Sequence, residues 1–227
     1  MINTLYQLVA PKVIIPKKAE LSLDGIIIRP THLSICHADQ RYYRGLRSNK
    51  AMREKLPMAL IHEASGVVVK DDGGFFDRGS RVIMIPNIPP LNGSAAAENY
   101  QVGARFMSSG VDGFMQEYVK MPADRLIPAD GIPEILSAMA EFVSVACHSA
   151  SRLIKKSVTP LSRIGIWGDG NLGFVIANVI KTLIPDAELV VIGQNPTKLN
   201  MFSFAAETYL DTEVPDKMRI DHAFECT

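Results

Sequence analysis

Cys36, His62 and Glu63 carry side chains of the types that bind metal ions. Cys36 follows the strand-like segment GIIIRP, and the adjacent His62 and Glu63 stand at the start of the apolar segment EASGVVVK. Glu141, a further candidate, lies early in a long segment whose apolar residues have helical spacing. A catalytic zinc takes three protein ligands and keeps one position for water or substrate. Spacing along the chain does not bring these residues together, and taken alone Cys36 is more simply explained as a core cysteine.

A group of basic residues follows Cys36 and would suit an anion: Arg41, Arg44, Arg47 and Lys50. A guanidinium group binds phosphate through two parallel hydrogen bonds, so a phosphorylated substrate is one explanation for the group. Arg41 and Arg44 are the preferred candidates for contact with a substrate phosphate. A solvated helix face explains the same residues without any ligand.

The segment GDGNLG fits the glycine pattern of a dinucleotide-binding turn. It comes directly after the apolar strand RIGIW and directly before a helical segment, and a second strand, VVIG, follows. Glycines permit the tight turn and let a pyrophosphate approach backbone N–H groups at the helix N-terminus. An ordinary tight strand-to-helix turn is the alternative. The predicted cofactor-binding residues of the turn are Gly168, Asp169, Gly170, Asn171, Leu172 and Gly173.

The choice between NAD and NADP depends on the end of that second strand. NAD sites usually place an Asp or Glu there, about 20 residues past the turn, to bind the ribose 2′-hydroxyl. The corresponding segment, GQNPTK at 193–198, contains no carboxylate. Asn195, Thr197 or Lys198 would accept a 2′-phosphate, so the sequence favours NADP. Lys198 is equally explained as a solvated lysine at the start of a helix.

The two parts of the chain have different patterns. Before residue 133, short β-branched segments broken by Gly, Pro and Asp indicate a barrel or a sandwich. After it, a long helical segment precedes one βαβ unit with parallel strands. We therefore predict a β-rich domain over residues 1–150, which would carry the catalytic zinc site if the metal candidates assemble, and a dinucleotide-binding domain over 151–227. The second contains about half of a doubly wound domain, so we expect the chain to be a fragment of a longer one.

The composition argues against several classes of protein. Lys plus Arg balance Asp plus Glu at 24 each, so no long-range field favours nucleic acid or a membrane surface. The three cysteines, Cys36, Cys147 and Cys226, are odd in number and far apart, which is typical of a reducing compartment. The N-terminus lacks the pattern of a signal peptide, and no apolar run has the length of a membrane helix. We expect a cytoplasmic protein.

Several motifs together carry a family resemblance. They are Cys36 followed by Asp39, His62-Glu63 before ASGVV, VDGFMQEYV at 111–119, Glu141 followed by FVSV, and GDGNLG. With them the sequence resembles the medium-chain, zinc-containing alcohol and polyol dehydrogenases over essentially its whole length. Within that family it is most similar to the members that reduce ribulose 5-phosphate to ribitol 5-phosphate, a step that supplies CDP-ribitol for teichoic acids or capsules.

The resemblance implies a fold, a metal site and a cofactor. The fold would be a GroES-like, partly open β-barrel followed by the first half of a Rossmann sheet. One catalytic zinc would be bound by Cys36, His62 and Glu141, with Glu63 as an exchanging ligand, and NADPH would supply the hydride. The implied partners are a sugar phosphate, a second copy of the full-length chain in a homodimer, and a ribitol-5-phosphate cytidylyltransferase.

The sequence departs from the family pattern at three places. Ala38 stands where many members carry a proton-relaying hydroxyl, so Tyr42 or a water held by Glu63 would take that role. Ile61 replaces the glycine that usually precedes the His-Glu pair. Residues 86–110 contain no cysteine, so no structural zinc is expected. Two alternatives stay open: an NAD-dependent zinc dehydrogenase of another polyol, and an inactive truncated remnant.

Overall fold

The computed structural model of the protein describes residues 1–90, 97–155, 159 and 161–227. Part of the cysteine-free segment, residues 91–96, lies outside the described residues. The chain divides into two compact units, Met1–Glu141 and Phe142–Thr227. This division precedes the predicted boundary after residue 150, which stays a prediction.

The first unit is built mainly from strands. Its strands are β1 Ile2–Ala10, β2 Val13–Glu20, β3 Ile26–Ser34, β4 Met58–Ala59, β5 Glu63–Asp71, β6 Arg81–Met84, β7 Asn87–Ile88, β8 Arg105–Phe106, β9 Val119–Met121 and β10 Leu126–Pro128. Its helices are α1 His37–Tyr43, α2 Asn49–Lys55 and α3 Glu134–Ser137, with 3₁₀ turns at Glu98–Tyr100 and Ala123–Arg125. Helix α4, Ala140–Ile154, begins at the end of this unit.

Two antiparallel sheets of the first unit enclose one apolar core. The larger sheet has the strand order β10-β6-β5-β3-β9, and the smaller has the order β2-β1-β4. An isolated bridge between Leu5 and Gln116, with flanking backbone hydrogen bonds, connects β1 to the segment before β9. Side chains from both sheets meet in the core, among them Leu8, Ile28, Met58, Val68, Val82, Met84 and Phe114. This arrangement confirms the predicted β-rich, partly open barrel.

Strand β1 joins the barrel through buried polar side chains. Gln7 Nε2 donates to Asp112 Oδ1 over 2.8 Å, and the same carboxylate oxygen accepts the backbone N–H of Ala59 at 2.7 Å. Asn3 Nδ2 donates to the carbonyl oxygen of Tyr118 over 2.8 Å. Because these partners lie in the segment VDGFMQEYV, that segment fixes the first strand against the rest of the barrel.

The second unit contains one parallel sheet. Its strands are β11 Arg163–Trp167, β12 Glu188–Gly193, β13 Glu207–Leu210 and β14 His222–Glu225, and its further helices are α5 Asn171–Leu183 and α6 Pro196–Leu199. The strand order is β13-β12-β11-β14, and every pairing is parallel. The chain therefore builds outward from β11 on one side and then returns to pair β14 on its other side. This is the doubly wound arrangement predicted from the glycine turn.

The strands β11 and β12 are almost entirely apolar because helices and loops cover both faces of the sheet. Ile164, Ile166 and Val191 are fully buried, and Ile176 and Ile180 of α5 pack in the same cluster. None of the helices in the described residues has the length and apolar character that crossing a membrane requires.

Gly113 packs closely against the backbone of Leu60 and Ile61, the residues just before His62 and β5. This close packing gives a stability prediction. A Cβ atom at Gly113 would collide with the carbonyl oxygens of Leu60 and Ile61, which are backbone atoms and cannot rotate away. We expect Gly113→Ala to lower the free energy of unfolding by about 1–3 kcal/mol, as overpacking does. Gly170→Ala is the matched control, because a Cβ there meets no atom within 4 Å. Urea denaturation of both variants makes the measurement, and equal midpoints would contradict the close packing described here.

Candidate functional site

Cys36, His62 and Glu63 meet at one end of the barrel. One ligand atom from each residue, a sulfur, a nitrogen and an oxygen, lies within 4.8 Å of the other two. The pairing of Ser34 with Glu63 brings the end of β3 beside the start of β5, so Cys36, just past β3, arrives next to the His-Glu pair. His62 is 7% exposed and Glu63 is 3% exposed. Thiolate, imidazole and carboxylate are the donor types that zinc takes in catalytic sites, so these three residues fit that metal.

The carboxylate of Asp39 contacts the residues that carry or precede the metal-binding side chains. Its Oδ2 accepts the backbone N–H of Cys36 at 3.1 Å, and its Oδ1 accepts the backbone N–H of Ile61 at 3.0 Å and the hydroxyl of Ser108 at 2.8 Å. His62 Nδ1 lies 3.7 Å from the same Oδ1. A carboxylate behind a metal-binding histidine fixes the orientation of the ring. Asp39 therefore positions both halves of the site.

Sequence reasoning assigned no role to Asp39, although a signal for one was present. The residue stands three positions after Cys36, which precedes the first turn of α1. An acidic side chain at that position commonly accepts the N–H of the residue that begins a helix. Ser108 and Phe106, whose ring centroid lies 5.3 Å from that of His62, carried no comparable signal. They reach the site only through the folding of the barrel.

Burial and neighbouring groups shift the pKa values of His62 and Asp39 in opposite directions. Burial lowers the pKa of His62, but hydrogen bonding and charge from Asp39 and Cys36 outweigh it and raise that pKa to about 10. Burial raises the pKa of Asp39, yet His62, Ile61 and Ser108 hold it below its ordinary value. Asp39 and Cys36 thus favour positive charge at the ring of His62, whether a proton or a bound cation carries it.

Glu141, the second residue of α4, shares the electrostatic environment of the cluster. Burial raises the pKa of its carboxyl group, with His62 acting to lower it and Glu63 and Asp39 acting to raise it. The three mutually close ligand atoms come from Cys36, His62 and Glu63 and not from Glu141. Its place as a metal ligand stays a prediction, and the same holds for the exchange with Glu63.

Ile61 has an unusual backbone for its residue type. Its φ angle is +73°, in the left-handed region that β-branched residues rarely adopt. Two hydrogen bonds hold it there, since its N–H donates to Asp39 and its carbonyl oxygen accepts the N–H of Phe114 at 2.7 Å. This explains the glycine that the resembled family usually has at this position. In this chain Ile61 adopts the same backbone conformation, although it is strained there. That conformation directs the following residues, His62 and Glu63, towards Cys36.

The other residues predicted from the segment after Cys36 have different surroundings. Tyr42 is 3% exposed and belongs to the apolar core, and its ring faces the guanidinium of Arg47 at 4.7 Å. Arg41 and Arg44 are exposed, and Arg41 Nη2 donates to the carbonyl oxygen of Leu46 over 3.5 Å. The structure thus separates the surface arginines from the buried tyrosine, and their catalytic or phosphate-binding roles stay predictions.

The glycine turn lines a cleft at the carboxyl ends of the parallel strands. The cleft has a volume of about 340 Å³ and is lined by Trp167, Gly168, Asp169, Gly170, Ile192, Gly193, Gln194, Asp211, Cys226 and Thr227. It lies where the chain leaves β11 in one direction and returns to it with β14, the position at which doubly wound sheets bind ligands. The predicted turn is therefore at the expected place in the sheet.

The glycines of the turn satisfy the steric needs of a dinucleotide site. Gly168 has a φ of +124°, and a Cβ on it would meet the backbone of Cys226 at 2.8 Å. A Cβ on Gly173 would collide with the carbonyl oxygen of Gly168, whereas a Cβ on Gly170 would point into open space. Asn171 and Leu172 form the first turn of α5, whose free N–H groups suit an anion. These residues fit a pyrophosphate.

Asp169 ties the glycine turn to the end of β12. Its Oδ2 accepts the backbone N–H groups of Gln194 at 2.8 Å and Asn195 at 2.6 Å. The Asn195 side chain in turn accepts the N–H groups of residues 197 and 198 at the start of α6. No sequence pattern pointed to Asp211, whose Oδ2 accepts Gln194 Nε2 at 2.9 Å and brings a carboxylate into the cleft. Predicted roles of Asn195 and the exposed Lys198 in binding a 2′-phosphate stay predictions.

The strain at Ile61 makes a testable prediction about stability. At an ordinary position alanine is more stable than glycine, but at a positive φ the order reverses because only glycine adopts that backbone freely. We expect Ile61→Gly to be more stable than Ile61→Ala by about 1 kcal/mol, although both lose a buried side chain. The same two substitutions at Leu60, which does not share the positive φ, should show the usual order. Thermal and urea unfolding would measure all four variants, and an alanine variant of Ile61 more stable than the glycine variant would refute the strain.

Comparison with known proteins identifies the family of the barrel and the relatives of the whole chain. Residues 23–134 match the family model described as the alcohol dehydrogenase GroES-like domain. Ribulose-5-phosphate reductase of Streptococcus pneumoniae is 46% identical over all of this chain, which covers 66% of that protein. Ribulose-5-phosphate reductase 2 of Staphylococcus aureus is 44% identical over all of this chain, which covers 67% of that protein.

A solved structure agrees with these relatives. The crystal structure of S. aureus TarJ in complex with NADPH matches 100% of this chain with a TM-score of 0.84 at 38% identity, and the match covers 65% of that chain. The chain thus spans about two thirds of the length of its relatives. The resemblance to zinc-containing dehydrogenases and the predicted GroES-like and Rossmann folds are confirmed. The chain belongs to the alcohol dehydrogenases with a GroES-like domain and, within them, to the family of the ribulose-5-phosphate reductases.

Proposed function

We propose that the protein reduces ribulose 5-phosphate to ribitol 5-phosphate with NADPH at one catalytic zinc. The convergence of Cys36, His62 and Glu63 is the observation that carries this proposal, because residues distant in sequence have no structural need to assemble a sulfur, a nitrogen and an oxygen donor. The family supports the substrate and the cofactor. The product would serve as the precursor of CDP-ribitol for teichoic acids or capsules.

Cys36 and His62 would bind the zinc with a carboxylate from Glu141 or Glu63. When bound, the metal is a Lewis acid that polarises the ketone of the substrate. The role of the protein is to keep the donor atoms in fixed positions. Asp39 does so by accepting the backbone N–H of Cys36 and by facing the ring of His62. Rigid ligands keep the site in the reactive geometry, and the buried setting strengthens every charge interaction within it.

The protein's own residues would place the nucleotide and supply a proton. The first turn of α5 would bind the pyrophosphate through backbone N–H groups, and NADPH supplies the hydride. Ala38 offers no hydroxyl for proton transfer, so the Glu63 carboxylate would hold the water that protonates the product oxygen. Glu63 Oε1 lies 4.0 Å from His62 Nε2, at the side of the cluster away from Asp39. The Tyr42 hydroxyl is the second candidate for this step, and its burial in the core makes it the less accessible one.

Further parts of the proposal concern the setting of the enzyme. The described cysteines are all free, which suits the reducing cytoplasm. A homodimer of the full-length protein, and an association with the ribitol-5-phosphate cytidylyltransferase that would use its product, follow from the resemblance. A structural zinc is not part of the proposal, because residues 86–110, where relatives carry the cysteines for one, contain no cysteine.

Loss of the metal ligand tests the proposal directly. Cys36→Ser should reduce bound zinc from one per chain to none and lower NADPH oxidation with ribulose 5-phosphate at least about 100-fold. NADPH binding, followed by nicotinamide fluorescence, should persist because the glycine turn belongs to the second unit. Cys147→Ser is the matched control, since Cys147 is exposed and lies outside the cluster. Full activity of Cys36→Ser with zinc retained would overturn the metal role.

Substrate and cofactor comparisons separate this proposal from its alternatives. We expect faster turnover with NADPH than with NADH, and with ribulose 5-phosphate than with ribulose, when all four combinations are measured by absorbance at saturating zinc. Preference for NADH and a free sugar would instead indicate an NAD-dependent dehydrogenase of another polyol. Bound zinc with no turnover in any combination would indicate an inactive remnant.

A further inference from the structure

Two cationic side chains converge on the ring of Tyr42. The guanidinium carbon of Arg47 lies 4.7 Å from the ring centroid, and Lys55 Nζ lies 6.0 Å from it. Arg47 comes from the loop after α1, and Lys55 is the last residue of α2. Two separate segments therefore bring positive charge to one buried aromatic side chain, at a cost in mutual repulsion.

Neither cation is neutralised by a carboxylate in the described part of the chain. No ion pair there includes Arg47 or Lys55, and the nearby Glu54 pairs with Lys50. The Nε atom of Arg47 is buried and lacks a hydrogen-bond acceptor among the described residues. Lys55 Nζ donates to Ser109 Oγ over 2.7 Å, a neutral partner. A buried donor without an acceptor costs about 1–3 kcal/mol, so this arrangement is better suited to a bound anion than to the isolated protein.

The cation pair lies close to the metal cluster through a short chain of contacts. Lys55 bonds to Ser109, and the adjacent Ser108 bonds to Asp39, which faces His62. Tyr42 also stands three residues after Asp39 on α1, and residues with that spacing lie on the same helix face. Positive charge and metal ligands therefore occupy neighbouring parts of one wall of the first unit.

We propose that Arg47 and Lys55 form the binding site for the phosphate group of the substrate. This inference rests on the proposed function and names the residues that would select a phosphorylated sugar over a free one. In ribulose 5-phosphate the phosphate and the reacting ketone are at opposite ends of a short chain, which requires recognition at two neighbouring places. A guanidinium fork and an ammonium group together match the oxygens of a phosphate, and the Tyr42 ring holds the guanidinium plane.

This assignment differs from the expectation for Arg41 and Arg44. Both of those side chains are exposed, and Arg41 already donates to the carbonyl oxygen of Leu46 in the loop after its helix. Arg47 is half-buried, and its buried Nε donor has no acceptor among the described residues. A bound phosphate would supply that acceptor and remove the cost of burying the donor unpaired. Burial in a low-dielectric setting also makes a charge-assisted hydrogen bond stronger than one at the surface.

The test is the binding of ribitol 5-phosphate and ribitol to the full-length chain, measured by calorimetry with zinc present. Arg47→Gln and Lys55→Gln should each weaken the binding of ribitol 5-phosphate by about tenfold or more. Affinity for ribitol, which lacks the phosphate, should stay unchanged and so report intact folding. Arg53→Gln is the matched control, because it removes one exposed positive charge from the same helix as Lys55.

The results distinguish a failure of the phosphate site from a failure of the proposed reductase function. A loss in Arg53→Gln as large as those in the Arg47 and Lys55 variants would overturn the phosphate site and leave the reductase function standing. Inorganic phosphate provides an independent probe of the site. If the unmodified chain bound it through Arg47 and Lys55 but did not bind or reduce the pentose compounds, the site would stand and the proposed substrate would fall. Binding of neither ligand would overturn both.

Discussion

The buried carboxylate of Asp39 is the interaction on which the candidate active site depends. Three donors from separate segments converge on it: the start of α1, the link before β5 and the loop after β8. The start of α1 and the link before β5 carry or adjoin the ligands of the metal cluster, and the loop after β8 lies beside it. Removing one partner from a buried charged network leaves the others unsatisfied, so such a network constrains the local fold as well as the chemistry. The pairing of β3 with β5 brings Cys36 near His62, and this one side chain then fixes the two segments against each other.

Much of the fold could be predicted from local sequence, and the reasons are physical. β5 contains the β-branched run VVV, and β12 contains the buried apolar run LVVI, which is typical of a strand inside a parallel sheet. The glycine turn was predictable because strand, turn and helix follow one another along the chain. β1 was harder to recognise, since Asn3 and Gln7 occupy buried positions where a strand pattern would have apolar residues. Their hydrogen-bond partners lie more than 100 residues away, and no local pattern reveals them.

The metal cluster marks the limit of prediction from spacing. Cys36 and the His-Glu pair are brought together by the pairing of β3 with β5, a tertiary contact that sequence periodicity does not specify. Family resemblance supplied that grouping, whereas the residues alone left Cys36 as a core cysteine. The relation of Arg47 and Lys55 to Tyr42 was similarly hidden, because one lies in a loop and the other at the end of the next helix. Surface arginines nearer to Cys36 in sequence were the natural but exposed candidates.

The two hydrogen bonds from Gln194 and Asn195 to Asp169 have a consequence for the thermodynamics of the proposed nucleotide binding. They fix the end of β12 against the glycine turn within the protein itself, so both walls of the cleft have their conformation without a ligand. A loop that is already ordered loses little conformational entropy when a nucleotide arrives, and less of the interaction energy is consumed in ordering it. Preorganisation of this kind raises affinity without adding a single contact to the cofactor.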